Sequence, residues 1–414
     1  MRRVVLVLLP VLLVVLGVIY LNLDGWQSNV TPENVTPDNS SNVFRIGVMS
    51  ATDEELPEYM FLGDLALDDI NSYCEEVNSS HRFEFVYMNA SSSPALAVNN
   101  TQAYYDSGVE VVVGYGWSSQ LFSSSRAFSD EHDMVLISPS STAPNYLLND
   151  TVFRLSPTDF DQGVALAHVI RGYGADAVIV IYRGDAWGRG ICDTFTEEFK
   201  KIGGGLVEKV EYSPTLTTFG TNLEWAQGVV SSAADLYGWG KVSVLYLGFS
   251  ECTTVLREAS DYAGLMNVTW FGSDGTFMEP GILGEAEDVV LRVKLISPKL
   301  ILPDSSEKCR VSDLYEVKFI KPLEFYVANV YDSCWIAALS ALEANSAYGA
   351  DVIKVLPKLA KGYVGITGNC TLGLYGDRAV YTFGFYGYVE EDGTTYQRLM
   401  ATYYSDSRQA SWID

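Results

Sequence analysis

The sequence predicts an α/β protein of two lobes, each a doubly wound parallel sheet, joined by hinge crossings. Three observations carry this. Short apolar runs of strand length alternate with longer stretches of helical length, in one series before residue 157 and a second after it. From Phe44 onward about 370 residues remain, too many for one ordinary core. Polar turns rich in Ser and Gly stand at the ends of several runs, where open parallel sheets hold their ligands.

Residues 1–26 read as a membrane segment. Met1-Arg2-Arg3 is a basic start, and Val4 to Leu23 is apolar apart from Pro10, Gly17 and Asn22. About twenty apolar residues can span a bilayer. No small-residue cleavage site is evident, so an uncleaved anchor ranks ahead of a cleaved signal peptide. The Arg pair places the N-terminus in the cytoplasm and the rest on the extracellular face. Residues 27–43 are rich in Ser, Asn, Thr and Pro and read as a disordered stalk. Nine N-x-S/T acceptors occur, at Asn29, Asn34, Asn39, Asn78, Asn89, Asn99, Asn149, Asn267 and Asn369, which suggests a glycosylated surface protein.

The first series runs strand Arg45–Ser50, helix Leu62–Tyr73, strand Phe83–Asn89, helix Ala95–Tyr105, strand Val109–Gly114, a helix from Ser118, and strand Met134–Ser138. Val152 to Pro157 breaks the alternation, and Thr158-Asp159 caps a helix to Arg171. The second series has strands Ala177–Tyr182, Leu206–Tyr212, Val242–Gly248 and Val268–Gly272. Helices near Gly188–Lys201, Asn222–Leu236 and Glu251–Ala263 separate them. Val289–Ile296 reads as another extended run ending at Pro298. Helices Glu324–Asn345 and Asp351–Ala360 follow, then strands around Val380–Val389 and Leu399–Tyr404. Residues 44–157 with 298–377 form the first expected lobe, and 158–297 with 378–414 the second. Crossings near 155–158, 297 and 375 would be hinges, so that closure could trap a ligand between lobes.

A net charge of −25 argues against nucleic acid as partner. The six cysteines contain no C-x-x-C pair. Cys192 with Cys252, and Cys309 with Cys370, are candidate disulfides, and Cys334 reads as a buried free thiol. No nucleophile elbow, P-loop, zinc-protease or dinucleotide fingerprint occurs, so no enzyme activity, metal or cofactor is expected. His81, His132 and His168 read as surface or core residues.

The polar turns suit a small zwitterion. Ser118 and Ser119 open a helix, whose free N–H groups and dipole attract an anion, and the Ser118 hydroxyl could donate to a carboxylate. In Ser138-Pro139-Ser140-Ser141-Thr142-Ala143-Pro144, Thr142 adds a hydroxyl and an N–H, and the Ser140 carbonyl can accept from an ammonium. Asp274, in Gly272-Ser273-Asp274-Gly275, would supply the anion an ammonium needs. Trp117, Trp187 and Phe249 sit at equivalent strand ends, where aromatics can wall a side chain.

Taken in order, these residues resemble the leucine/isoleucine/valine-binding protein family, the type I periplasmic binding proteins, over about residues 44–390. The match is carried by Gly114 to Pro144, by R-L-S-P-T-D-F-D-Q-G at 154–163 and by D-A-W-G-R-G at 185–190. Y-V-A-N-V-Y-D at 326–332 and G-I-T-G…G-D-R at 365–378 complete it. The resemblance implies a solute-binding protein that captures an α-amino acid, branched-chain or otherwise apolar, and delivers it to an ABC transporter permease. It implies that Ser118 and Thr142 hold the carboxylate, that Ser140, Thr142 and Asp274 hold the ammonium, and that Trp187 and Phe249 close from the second lobe. Asp159 would support the site from behind. Trp117 stands where the family often has a small residue, Phe249 where it more often has Tyr, and Tyr59 is a candidate in the poorly aligned segment 53–60. A ligand-sensing ectodomain of the same fold and an amide- or urea-binding protein are the alternatives.

Overall fold

The computed structural model describes residues 42–143 and 151–413. The expected anchor, the stalk up to residue 41, Pro144 and the acceptors Asn29, Asn34, Asn39 and Asn149 lie outside the described residues. Among the described residues no helix is long and apolar enough to cross a membrane.

The first sheet contains β1 (Val43–Ser50), β2 (Arg82–Asn89), β3 (Val111–Gly114), β4 (Val135–Ser138) and β5 (Val152–Arg154). Their order is β2-β1-β3-β4-β5, parallel throughout. The segment expected to interrupt the series is therefore its fifth strand, with Val152 registered on Leu136. Alternate residues divide the sheet's faces. Ile46, Val48, Val111, Val113, Val135 and Ile137 meet α1 (Leu56–Glu76), while Met49, Val112 and Leu136 meet α2 (Pro94–Asp106) and α3 (Ser118–His132).

From β5 the chain enters α4 (Asp159–Tyr173), with Thr158 as N-cap; the Thr158 N–H and hydroxyl both donate to Asp161, at 2.7 and 2.8 Å. β6 (Ala177–Arg183), α5 (Ala186–Lys201), β7 (Leu206–Tyr212), α6 (Gly220–Tyr237), β8 (Val242–Leu247), α7 (Cys252–Ala259) and β9 (Thr269–Gly272) follow. The run expected to be extended at 289–296 is instead the short helices α8 (Pro280–Glu285) and α9 (Glu287–Val293), then β10 (Ile296–Leu300). β10 pairs β9 only at Ile296, and Pro298 sits beyond that pairing, where β9 no longer asks for its missing N–H. β10 lies in the second sheet, so the crossing expected near 297 falls after Leu300.

The chain then supplies α10 (Ser306–Phe319), α11 (Phe325–Ala344) and α12 (Gly349–Gly362), which cover the α1 face of the first sheet. A small hairpin, β11 (Val364–Gly365) and β12 (Gly368–Asn369), leads to a last crossing. β13 (Thr382–Glu391), β14 (Thr394–Tyr404) and β15 (Gln409–Trp412) extend the second sheet antiparallel, giving the order β15-β14-β13-β10-β9-β8-β6-β7.

All six cysteines are free. Cys252 opens α7, whereas Cys192 lies in the middle of α5, and the two are buried in separate cores on opposite faces of one sheet. Cys309 is exposed and Cys370 is buried under the first sheet, so neither expected pair forms; Cys334 is buried and free. Of the described glycan acceptors, Asn78, Asn99 and Asn267 are exposed, whereas Asn89 donates its Nδ2 to Asp53.

Candidate functional site

At the end of β3 the backbone turns through two left-handed residues, Gly114 at φ 144° and Tyr115 at φ 58°. A Cβ on Gly114 would stand 2.2 Å from the Met49 carbonyl oxygen, so only glycine fits there. Tyr115 is held in its unusual conformation by a buried phenol–hydroxyl bond to Thr101 (2.8 Å). This turn presents Gly116, Trp117 and the first turn of α3. Trp117 is 43% exposed, and Ser119 is exposed beside it. The Ser118 and Ser141 hydroxyls share a bond of 2.9 Å, and Ser118 Oγ accepts from the Ala143 N–H at 3.3 Å. The two polar strand ends thus form one surface. Ser140 donates its hydroxyl to the Gly116 carbonyl at 3.1 Å, and the Tyr59 phenol lies 3.2 Å from where a Gly116 Cβ would stand.

The Ser138–Ala143 turn is fixed from beneath by residues far away in sequence. Asn329 on α11 donates to the carbonyls of Pro139 (2.9 Å) and Leu155 (3.0 Å), while Arg378 donates to Asn329 (3.2 Å) and Leu155 (3.2 Å). Arg154 donates to Asp377 (2.5 Å) and to the Ala143 carbonyl (2.6 Å). Asp332 accepts from the Ile366 and Thr367 amides at 3.0 and 2.8 Å. The late motifs Y-V-A-N-V-Y-D and G-D-R act here as struts for the Ser138–Ala143 turn. None of these supporting roles is visible in local sequence.

The second sheet contributes Trp187, Phe249 and Asp274. Asp185 caps α5 by accepting the Gly188 N–H at 2.9 Å, which sets Trp187 in the first turn. The Trp187 and Phe249 rings stack with centroids 4.3 Å apart, and Phe249 is 39% exposed. Asp274 follows β9; its N–H donates to Gln162 on α4 at 3.1 Å. Burial pushes the Asp274 carboxyl above its ordinary range, against the pull of Gln162.

Asp159 is where structure adds most to the sequence reading. It is buried, its N–H donates to the Thr142 carbonyl at 2.9 Å, and its side chain lies against the Thr142 hydroxyl and the Trp187 indole. Burial first, and then the nearby Asp274 carboxylate, push its carboxyl up to about 8. Tyr326, at the start of α11, faces both carboxylates. A cavity of 170 Å³ lined in part by Asp274, Lys299, Glu324 and Tyr326 lies behind them. Asp159 thus lies beside Asp274. Gln162 and Tyr326, unassigned from sequence, border the pair.

What these elements bring together is a helix N-terminus with hydroxyls on one side and two close carboxylates on the other. Among the described residues no group of His, Cys, Asp and Glu could hold a metal ion.

An uncharacterised protein of Methanocaldococcus jannaschii is 27% identical over 94% of this chain and 96% of its own length. The leucine-binding protein of Thermotoga maritima superposes with a TM-score of 0.62 at 18% identity, covering 86% of this chain and 97% of its own. A Rhodopseudomonas palustris solute-binding protein, crystallised with 3,4-dihydroxybenzoic acid, superposes at 0.62 with 14% identity, covering 88% and 98%. Such identities establish the shared fold. A family model described as the receptor family ligand binding region matches residues 64–391, and the chain belongs to that family, the type I periplasmic binding proteins.

Proposed function

We propose that this protein captures an α-amino acid between its two lobes outside the cell and delivers it to an ABC transporter permease. The observation carrying this reading is the Asp159–Asp274 pair. Two buried carboxylates side by side repel one another, and an ammonium placed between them relieves that repulsion. The carboxylate of the same ligand would meet the first turn of α3 and the hydroxyls of Ser118 and Thr142. Ser119 and Ser140 would complete this wall, Trp117 would border it, and the Trp187–Phe249 stack would cover the ligand from the other lobe. A urea or amide has no ammonium and would leave the acidic pair uncompensated.

In this reading residues 44–157 with 301–377 form one lobe and 158–300 with 378–414 the other, the boundary following β10. Residues 1–26 tether the protein to the membrane, and Asn78, Asn99 and Asn267 carry any glycans. Thermal denaturation of the full chain with each L-amino acid, with amides and with urea tests the function, since a ligand of the native state raises the melting temperature. Stabilisation by amino acids is expected. Stabilisation by amides alone, or by none of these, would sink the proposal.

A further inference from the structure

The segment between β1 and α1, taken with the first turn of α1, carries four acidic residues, and three are accounted for. Asp53 accepts from Asn89 and from the Ser91 hydroxyl (2.8 Å). Glu58 accepts from the Tyr315 phenol (2.5 Å) and from Lys321 (2.6 Å). Glu54 is exposed to solvent. Glu55 differs: its Oε2 is buried and has no hydrogen-bond partner among the described residues.

Its position relates it to the site. Glu55 is the N-cap of α1, one turn before Tyr59, and the two side chains feel each other electrostatically. The Tyr59 phenol stands against Gly116 and Ser140, and the Ala51 Cβ stands 3.1 Å from where a Gly116 Cβ would be. Glu55 therefore borders the same end of the first sheet as the Ser138–Ala143 turn. Burial raises its carboxyl, opposed by the Ala51 and Thr52 amides.

The cations nearest the cleft are already engaged. Arg154 is bound to Asp377 and the Ala143 carbonyl, and Arg183 to Asp185 (2.6 Å) and Glu251 (2.9 Å). One α-ammonium satisfies the Asp159–Asp274 pair and leaves Glu55 untouched. An apolar side chain set against Glu55 would leave its buried Oε2 without a partner.

We propose that Glu55 receives the far end of the ligand's side chain, and that the ligand is an α-amino acid with a second cationic group, of the lysine, ornithine and arginine class. This rests on the α-amino-acid reading of the site, and it departs from the apolar ligand that the family resemblance implies.

Titration calorimetry of the full chain with L-lysine, L-arginine and L-norleucine tests it, norleucine matching the lysine chain without its ammonium. The expected result is at least tenfold tighter binding of lysine or arginine than of norleucine, with that ratio cut at least tenfold in Glu55→Gln. Glu55→Asp, which keeps the charge, should restore part of the ratio and covers the case in which Glu55→Gln fails to fold. Norleucine binding as tightly as lysine would overturn the inference and leave the amino-acid reading standing. A lysine preference unchanged in Glu55→Gln would remove Glu55 from the site. Failure of all three ligands, together with the twenty standard amino acids, would overturn both readings.

Discussion

Ligand binding should release a proton. In the ligand-free protein Asp159 titrates at about 8, and the proton belongs to the Asp159–Asp274 pair rather than to one residue. At pH 7 about nine-tenths of the molecules then carry that proton. An ammonium entering between the carboxylates favours their ionised forms and pulls the value down. Binding therefore expels about 0.9 proton at pH 7 and strengthens as the pH rises toward 8. If the bound pair titrates well below 6, the apparent Kd at pH 6 is about 50-fold weaker than at pH 8. The assay is titration calorimetry in two buffers of different ionisation enthalpy, repeated at pH 6, 7 and 8. Asp159→Asn removes the titrating group and should abolish the buffer dependence. A binding heat independent of buffer, with Kd constant within about threefold across this range, would refute the electrostatic reasoning.

Three further outcomes follow from the same geometry. The Asp159 carboxyl keeps a proton in the folded state that the unfolded chain gives up near its ordinary value, so this contribution is fullest below about pH 4 and is lost as pH rises to about 8. Melting of the ligand-free protein should show that loss, and Asp159→Asn should flatten it. Asp274→Ala should weaken amino-acid binding at least ~100-fold by calorimetry, near the low end of the roughly 3–5 kcal/mol for breaking a buried charge pair. Near-normal affinity would take Asp274 out of the site. Arg154→Ala strands Asp377 and frees the Ala143 carbonyl, so urea unfolding should show a loss of about 3–5 kcal/mol; a loss under about 1 kcal/mol would mean that this strut carries little.

The central strands were readable because β3, β4 and β8 are short apolar runs buried on both faces, and α2, α4 and α5 because Ser93, Thr158 and Asp185 precede them as polar caps. β5 was missed because three residues, Val152–Arg154, are too few to show a pattern, and only pairing with β4 makes them a strand. α10 was missed because its face is thin: only Val311 and Tyr315 are buried along it. The apolar run at 289–296 concealed a helix end and a strand start, and Pro298 argued falsely for a stop. At the site, residues on one βα unit were legible from local order. Asp159 was placed near the site by the resemblance alone, and its neighbours were not legible, because Asp274, Thr142 and Trp187 arrive from three other elements. Asn329 and Arg378 were read as motif letters, and their work under the Ser138–Ala143 turn appears only when α11 returns to the first sheet.

That return has a consequence for how the chain matures. The five strands of the first sheet are synthesised by residue 154, but α10, α11 and α12, which cover much of one face, arrive only between residues 306 and 362. β10 likewise waits for β13 to pair along it. A nascent chain stopped near residue 300 would thus bare apolar surface on its earliest strands, and should be cut by protease within 43–154 where the finished protein resists. Neither half of the molecule can be completed on its own, so the order of synthesis does not set the order of folding, and both halves mature late and nearly together.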